Sequence, residues 1–175
     1  MGYIIRSCSE NQLPEILEIF NDAILNSTAL YDYNPRSMDT MQSWYATKQA
    51  GNYPIIGVFD GNDTLLGFAS YGSFRNWPAY KYSVEHSIYV RSDMRGKGLG
   101  KLLLKEIIKS AEAQDYHVLI GGIDASNTAS IRLHEKEGFV FSGTIHHAGY
   151  KFGRWLDLSF YQLILKTPKY PEEDR

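Results

Sequence analysis

The sequence predicts a single α+β domain with a central mixed, mostly antiparallel sheet flanked by about four helices, and three observations predict it. The 175 residues, 43% hydrophobic and 22% charged, have an ordinary globular composition and a length that suits one domain. Strand-like and helix-periodic runs interleave in the order β-α-α-β-β-β-α-β-α-β-β, with no internal repeat, low-complexity tract or linker. Asp60-Gly61-Asn62-Asp63 reads as a hairpin turn between two of the strand-like runs, the clearest antiparallel signal in the chain.

In chain order, residues 3–7 are a short β-prone run. Leu13, Ile16, Leu17, Phe20 and Ile24 then recur at spacings of three and four, one face of a helix, with Ser9 as N-cap and Pro14 tolerated in the first turn. A second helical pattern over 37–50 (Met38, Met41, Trp44 or Tyr45, Lys48) is closed by Gly51 as a C-cap residue. Residues 53–59 and 64–74 form the hairpin. Pro78 removes a donor and restricts Trp77, so 75–79 is a loop, and 81–90 is the next strand. Leu99, Leu102, Leu103, Ile107 and Ala111 mark a helix entered through glycines 96, 98 and 100 and running to about residue 114. A buried-looking strand over 118–124 precedes a helix over 127–137 that Gly138 closes, and 139–145 and 156–166 are the last two strands. The domain therefore spans residues 1–166, and the polar tail 167–175, with two prolines, is expected to fray.

Charge and cysteine content narrow the function. Lys and Arg number 18 against 20 Asp and Glu, a formal net charge of −2, so the basic excess that drives binding to nucleic acid or to an anionic membrane is missing. Charges or glycines break every apolar stretch well short of the ~20 residues a membrane-spanning helix needs, and the N-terminus has no signal-peptide pattern. The single cysteine, Cys8, can neither staple a fold nor build a thiolate metal site, which points to a reduced, cytoplasmic setting. Thirteen Tyr, 8 Phe and 3 Trp favour a large core or an aromatic-lined pocket, and composition does not separate the two.

The sharpest local feature is Arg91-Ser92-Asp93-Met94-Arg95-Gly96-Lys97-Gly98-Leu99-Gly100-Lys101. A glycine-rich turn opening a helix leaves first-turn N–H groups unpaired and parallel at the positive end of the helix dipole, a ready anion cradle. Glycines at alternate positions permit positive φ and close backbone approach, and Arg91, Arg95, Lys97 and Lys101 surround the turn with positive charge, which suits a diphosphate better than a single phosphate. The pattern is neither Walker A nor G-x-G-x-x-G. A glycine turn on a solvated basic helix end remains the bland alternative.

Arg95-x-x-Gly98-x-Gly100 after a strand, followed by Asn127-x-x-Ser130-x-x-Leu133-His134-Glu135-Lys136-Glu137-Gly138-Phe139, resembles the GNAT superfamily of acetyl-CoA-dependent N-acetyltransferases. Within it, 74–77, 84–90 and 151–158 are similar to the phosphinothricin and methionine sulfoximine acetyltransferase group. The resemblance covers about residues 3–166; Ser92 departs from the proline often found at its position. It implies that the backbone of Ile88, Tyr89 and Val90 holds the pantetheine arm of acetyl-CoA as an added strand would. It further implies that the amides of Arg95, Gly96, Lys97, Gly98, Leu99, Gly100 and Lys101 take the diphosphate, and that Asn127 bonds the arm near the thioester. His134 stands where many members have a tyrosine poised to protonate the departing thiolate. A homodimer is implied as well.

The residues themselves are compatible with this. Glu85 lies in an otherwise apolar and aromatic strand, where a carboxylate is costly unless hydrated, paired or functional; burial would raise its pKa toward that of a base, and a solvated strand face is the alternative. A lone His134 is otherwise a helix histidine beside Glu135 or Glu137. Strand alternation puts His86 opposite Glu85, so at most one of them faces the thioester unless a bulge intervenes. Arg75 is a candidate carboxylate or phosphinate clamp, or else a surface arginine stacked on an aromatic ring, and with Asn76, Trp77, Glu85, His86, Ser87 and His134 it makes up the expected acceptor site. Residues 151–155 are expected to close the pocket or join a dimer contact. His146 and His147 are adjacent and lack a carboxylate at ligand spacing, so no metal is expected.

The expected activity is direct transfer of an acetyl group from acetyl-CoA to the primary amine of a small amino acid or analogue in a ternary complex, with Glu85 as base through a water, backbone donors of the fourth strand stabilising the oxyanion, and His134 as acid toward the thiolate. The rival readings are another amine, such as a peptide N-terminus or a polyamine, and a non-catalytic acetyl-CoA-binding module, which would need neither Glu85 nor His134.

Overall fold

The computed structural model describes residues 2–174; Met1 and Arg175, the outer ends of the N-terminal and tail expectations, lie outside the described residues. The chain runs β1 (Ile4–Ser7), α1 (Leu13–Asn26), α2 (Met38–Ala50), β2 (Ile55–Phe59), β3 (Leu65–Ser73), β4 (Ser83–Val90), α3 (Leu99–Ala113), β5 (Val118–Asp124), α4 (Thr128–Lys136), β6 (Val140–Lys151) and β7 (Arg154–Ile164), the element order the sequence predicts.

Seven strands form one sheet in the order β1-β2-β3-β4-β5-β7-β6, in which β4 and β5 are the parallel pair. Strand alternation sends two sets of apolar side chains to opposite faces. Leu13, Ile16, Phe20 and Met41 of α1 and α2 pack with Phe59, Leu65, Phe68 and Tyr89 on one face. Leu99, Leu103, Leu104 and Ile107 of α3 pack with Val58, Tyr71, Val84, Leu119 and Ile123 on the other. Ile16, Met41, Leu103 and Ile107 are wholly buried, and truncating one of them to Ala is expected to cost ~2–5 kcal/mol.

One irregularity positions the site. β4 pairs with β3 along its length, from Val84 opposite Ser73 to Val90 opposite Gly67, whereas its parallel pairing with β5 stops at His86 opposite Gly121. Beyond that point the strands separate, and Ser87 to Val90 keep a hydrogen-bonding neighbour on the β3 side alone.

Several local expectations change. Ser9 caps a short 3-10 turn, Glu10–Gln12, through a capping box with Gln12, and α1 follows with Pro14 in its first turn. Gly51 is the C-cap of α2, as expected, but at φ −85°, and the left-handed residue is Asn52 after it at φ 53°. β6 does not end at Ile145: a bulge between Ile145 and Gly149, with His147 at φ 54°, carries it to Lys151, and β7 starts at Arg154. The tail, though exposed, touches the loop before β4. Tyr82 Oη accepts from the Glu172 amide at 2.9 Å, and Lys81 pairs with Asp174 at 2.6 Å. Cys8 is buried directly after β1, where burial pushes its thiol up to about 12, so it packs as a small apolar residue.

Candidate active site

The glycine turn leads into α3 with Gly96 at φ 76° and Gly98 at φ 81°, and open space surrounds the position a β-carbon would take on either. Gly98 is the N-cap of α3 and has no side chain to satisfy the first amides, so those donors remain available to an anion. Gly100 does different work: a β-carbon there would sit 3.3 Å from Leu133, so it lets α3 approach α4. Of the surrounding cations, Arg91 is held by Asp93 through two hydrogen bonds at 3.1 and 2.9 Å and does not line the groove, whereas Arg95 and Lys101 are exposed and loosely held. Arg95 lies 3.8 Å from Asp22, and Lys101 lies 3.6 Å from Glu137.

A groove of about 530 Å³ runs from this turn along the free edge of β4. Ile88, Tyr89, Val90, Arg95, Gly96, Gly98, Leu99, Gly100, Lys101, Asn127 and His134 line it together, while Lys97 lies outside that lining. The Asn127 side-chain oxygen caps α4 by accepting from the Ser130 amide at 3.1 Å, which leaves its NH₂ free to donate. These features fit a thioester carried on a pantetheine diphosphate: an unpaired strand edge for the arm's amides and an uncapped helix start for the phosphates.

The groove opens into a smaller chamber of about 130 Å³ where β4 and β5 part. His86, Ser87, Ile88 and Tyr89 form one wall, Gly121 to Asp124 another, and Asn127, Ser130 and His134 a third. His86 and His134 are both buried, with their Nε2 atoms 2.9 Å apart. The Ser130 carbonyl, which can only accept, lies 2.7 Å from His134 Nδ1, so that nitrogen carries the proton. Neutral His134 therefore accepts at Nε2, His86 donates from Nε2, and His86 Nδ1 is left without a partner. Burial, then the neighbouring His134, pulls the pKa of His86 down to about 3. Burial likewise lowers that of His134, against the hydrogen bond to Ser130.

Glu85 and His86 fall on opposite faces of the sheet, as alternation requires. A β-carbon on Gly121 would lie 3.0 Å from the His86 ring, and one on Gly122 would lie 3.1 Å from Glu85 Oε1. Glu85 is half-buried on the α1 and α2 face; burial raises its pKa, and nearby Arg75 opposes the rise. Arg75 is not brought to the histidines. Its guanidinium stacks 4.3 Å from the Phe74 ring and donates to the Phe74 carbonyl at 2.8 Å. With Asn76 and Trp77 it lines a separate open recess.

Sequence reasoning missed the rest of the chamber. Thr28, Ala29 and Tyr31 come from the loop between α1 and α2, and Gly121, Gly122 and Asp124 from the end of β5. Asp124 is buried, its Oδ1 accepting from the Ser126 amide and hydroxyl at 2.8 and 2.7 Å while Oδ2 has no partner. Burial works against its ionisation, but Thr28, Ser126 and Arg154 outweigh that and hold its carboxyl below the ordinary aspartate value. The paired glycines 121 and 122, side by side in a strand, were the available signal that something approaches β5 closely. Among the described residues no three potential metal ligands cluster, and no helix is long and apolar enough to cross a membrane.

The splayed parallel strands, the glycine turn and the helix behind them define an acetyltransferase. The acetyltransferase (GNAT) family matches residues 13–139, and the chain belongs to it, an acetyl-CoA-dependent N-acetyltransferase. It is 46% identical over 165 residues, 94% of this chain and 96% of the other, to the L-methionine sulfoximine/L-methionine sulfone acetyltransferase of Pseudomonas aeruginosa. A solved Acinetobacter baylyi protein assigned to the acetyltransferases superposes with a TM-score of 0.98 at 57% identity, covering 99% of this chain and 97% of that one. The phosphinothricin acetyltransferase of Sinorhizobium meliloti, solved with acetyl-CoA, does so at 0.93 and 34% identity, covering 98% and 93%.

Proposed function

We propose that the chain acetylates the α-amine of a small amino acid of the methionine sulfoximine, methionine sulfone or phosphinothricin type, by direct transfer in a ternary complex. One observation carries the reading: the free edge of β4 from Ser87 to Val90 joins the uncapped start of α3 to the buried His86–His134 pair. The named activities of the relatives support the same substrate class.

Acetyl-CoA supplies the acyl group as a thioester with a thiolate to displace. The α3 amides with Arg95 and Lys101 bind the diphosphate, the β4 edge orients the arm, and the Asn127 amide donates near its reacting end. Glu85, its pKa raised by burial, accepts the ammonium proton, through a water where the amine lies on the far side of the sheet edge. His134 returns a proton toward the leaving thiolate. The neutral pair has no acidic proton to spare, so the proton it delivers is the second one the attacking nitrogen sheds as the tetrahedral intermediate collapses, taken up at His134 Nε2 in place of the 2.9 Å bond from His86, which keeps its own proton. Arg75 swings from Phe74 to clamp the acid group of the substrate, a move that exposure of its side chain permits. The assembly is a homodimer in the cytoplasm, a reading that rests on the family resemblance and on the lone buried cysteine.

A panel of amino acids and amines mixed with acetyl-CoA, with free thiol followed, tests this. Turnover of methionine sulfone, methionine sulfoximine or phosphinothricin at millimolar concentration is the expected result. Turnover of a polyamine or a peptide N-terminus instead of all three overturns the substrate class and leaves the acetyltransferase assignment standing.

A further inference from the structure

Lys151 ends β6, far from the glycine turn in sequence, and its side chain is buried at 4% exposure. Its ammonium donates to three backbone carbonyls: Ile24 at 2.6 Å, Ser27 at 3.0 Å and Leu30 at 2.7 Å. Among the described residues no carboxylate pairs with it. A buried cation without a paired anion is costly unless every proton is used, and here all three are, with the charge of Asp32 also favouring it. Ile24 lies in the last turn of α1, where carbonyls lack intrahelical partners and the helix dipole is negative; Ser27 and Leu30 lie in the loop that follows.

That loop, residues 27–37, is the one whose Thr28, Ala29 and Tyr31 wall the chamber beside His86 and His134. Two neighbours of Lys151 hold the same loop. Tyr33 donates to the Tyr150 carbonyl at 2.6 Å, and the Tyr31 ring lies so close to Gly149 that a β-carbon there would meet it at 2.9 Å. The bulge between Ile145 and Gly149, pinned by Asp157 accepting from the His147 amide at 2.9 Å, turns the end of β6 toward these contacts.

We infer that Lys151 is a positioning residue for the amine site: through three carbonyls it fixes the 27–37 loop, and so sets the width of the chamber that receives the acceptor. This rests on the reading of that chamber as the amine site. The loop borders the acetyl-CoA groove as well, through Ser27, Thr28 and Ala29, but the diphosphate cradle lies on α3, which Lys151 does not touch, so the effect on the amine exceeds that on acetyl-CoA.

The test compares Lys151→Met and Gly149→Ala with the parent chain by steady-state kinetics, acetyl-CoA titration and amide exchange. Lys151→Met keeps the aliphatic stem and removes the donors; Gly149→Ala leaves Lys151 intact and displaces Tyr31. Both should raise KM for the amino acid, the first by about tenfold or more and the second by several-fold, with kcat and the Kd for acetyl-CoA within about threefold. Exchange in 28–34 should quicken while sheet amides keep their protection. A folded Lys151→Met chain with a lower Tm but parental KM and loop exchange would reduce Lys151 to a helix cap and overturn the inference. If Lys151→Met does not fold, Gly149→Ala decides, and parental KM there overturns it equally. A parent chain that acetylates no amino acid is a different failure, that of the substrate reading, and the exchange data still judge the tie to the loop.

Discussion

The two halves of the cleft are built from different materials. On the side proposed for acetyl-CoA, the turn from Gly96 to Lys101 and the edge from Ser87 to Val90 present main-chain groups from two short, nearly contiguous segments. On the side proposed for the amine, His86, Asp124, His134 and Tyr31 converge as side chains from β4, β5, α4 and the loop after α1, Glu85 stands on the opposite face of β4, and Lys151 of β6 holds that loop from behind. A binding site made of backbone tolerates changes of side chain but not of glycine. One made of side chains changes its ligand with single substitutions, which is how one fold can keep its acyl donor while its acceptor varies.

The sharpest way to break this comparison is Glu85→Gln. It should lower the rate near neutral pH by about 10²-fold or more, with partial recovery at high pH where the amine sheds its own proton. Glu85 must be ionised to accept that proton, and burial raises its pKa, so kcat/KM of the parent falls as pH drops through that raised value. A pH–rate profile in which the variant keeps full activity would leave the base unassigned.

Arg75→Ala comes next. A charge-assisted bidentate pair contributes roughly 1.5–3 kcal/mol, so KM for an acid-headed amino acid should rise by an order of magnitude or more. An unchanged KM would mean that the guanidinium stays on Phe74 in the complex.

The buried histidines give a smaller effect, read in stability. His86 stays neutral in the folded chain down to about 3, whereas an unfolded histidine takes up its proton near 6.5. Below 6.5 the unfolded state therefore binds more protons, and stability present at pH 7 is lost as pH falls toward about 3. Thermal melts of His86→Gln should show a shallower decline between pH 7 and 5 than the parent, by a few degrees; a parallel decline would place the acid sensitivity elsewhere.

Cys8→Ala should change least. Its thiol is buried and held up near 12, so turnover stays near parental and double-reciprocal plots intersect. Parallel plots with an acetylated Cys8 would contradict direct transfer.

The same contrast explains what the sequence made legible. Helix periodicity and the Asp60–Asp63 turn are local signals, and the helices read over 37–50 and 127–137 form there, with Ser37 and Asn127 as their N-caps. The glycine turn that opens the groove proposed for acetyl-CoA was equally legible, because a glycine turn before a helix is a local pattern with a physical meaning. Ser9 was read as the cap of α1 because a 3-10 turn between cap and helix leaves no separate mark in the sequence. β6 was cut short at Ile145 because a bulge with a left-handed His147 breaks strand alternation without ending the strand. Thr28, Tyr31 and Asp124 escaped notice because nothing near them in sequence joins the end of α1 to the end of β5. Only the packed sheet brings them within reach of His134, and the same distance in sequence hid the link from Lys151 to Leu30.

Calorimetric titration of acetyl-CoA into Gly98→Asp and Arg75→Ala, side by side, tests the division between the two halves most directly. The account predicts that a carboxylate at the uncapped start of α3 weakens acetyl-CoA at least tenfold in a folded chain, while loss of the Arg75 guanidinium leaves its affinity unchanged. Parental affinity in Gly98→Asp, or an equal loss in both variants, would contradict it.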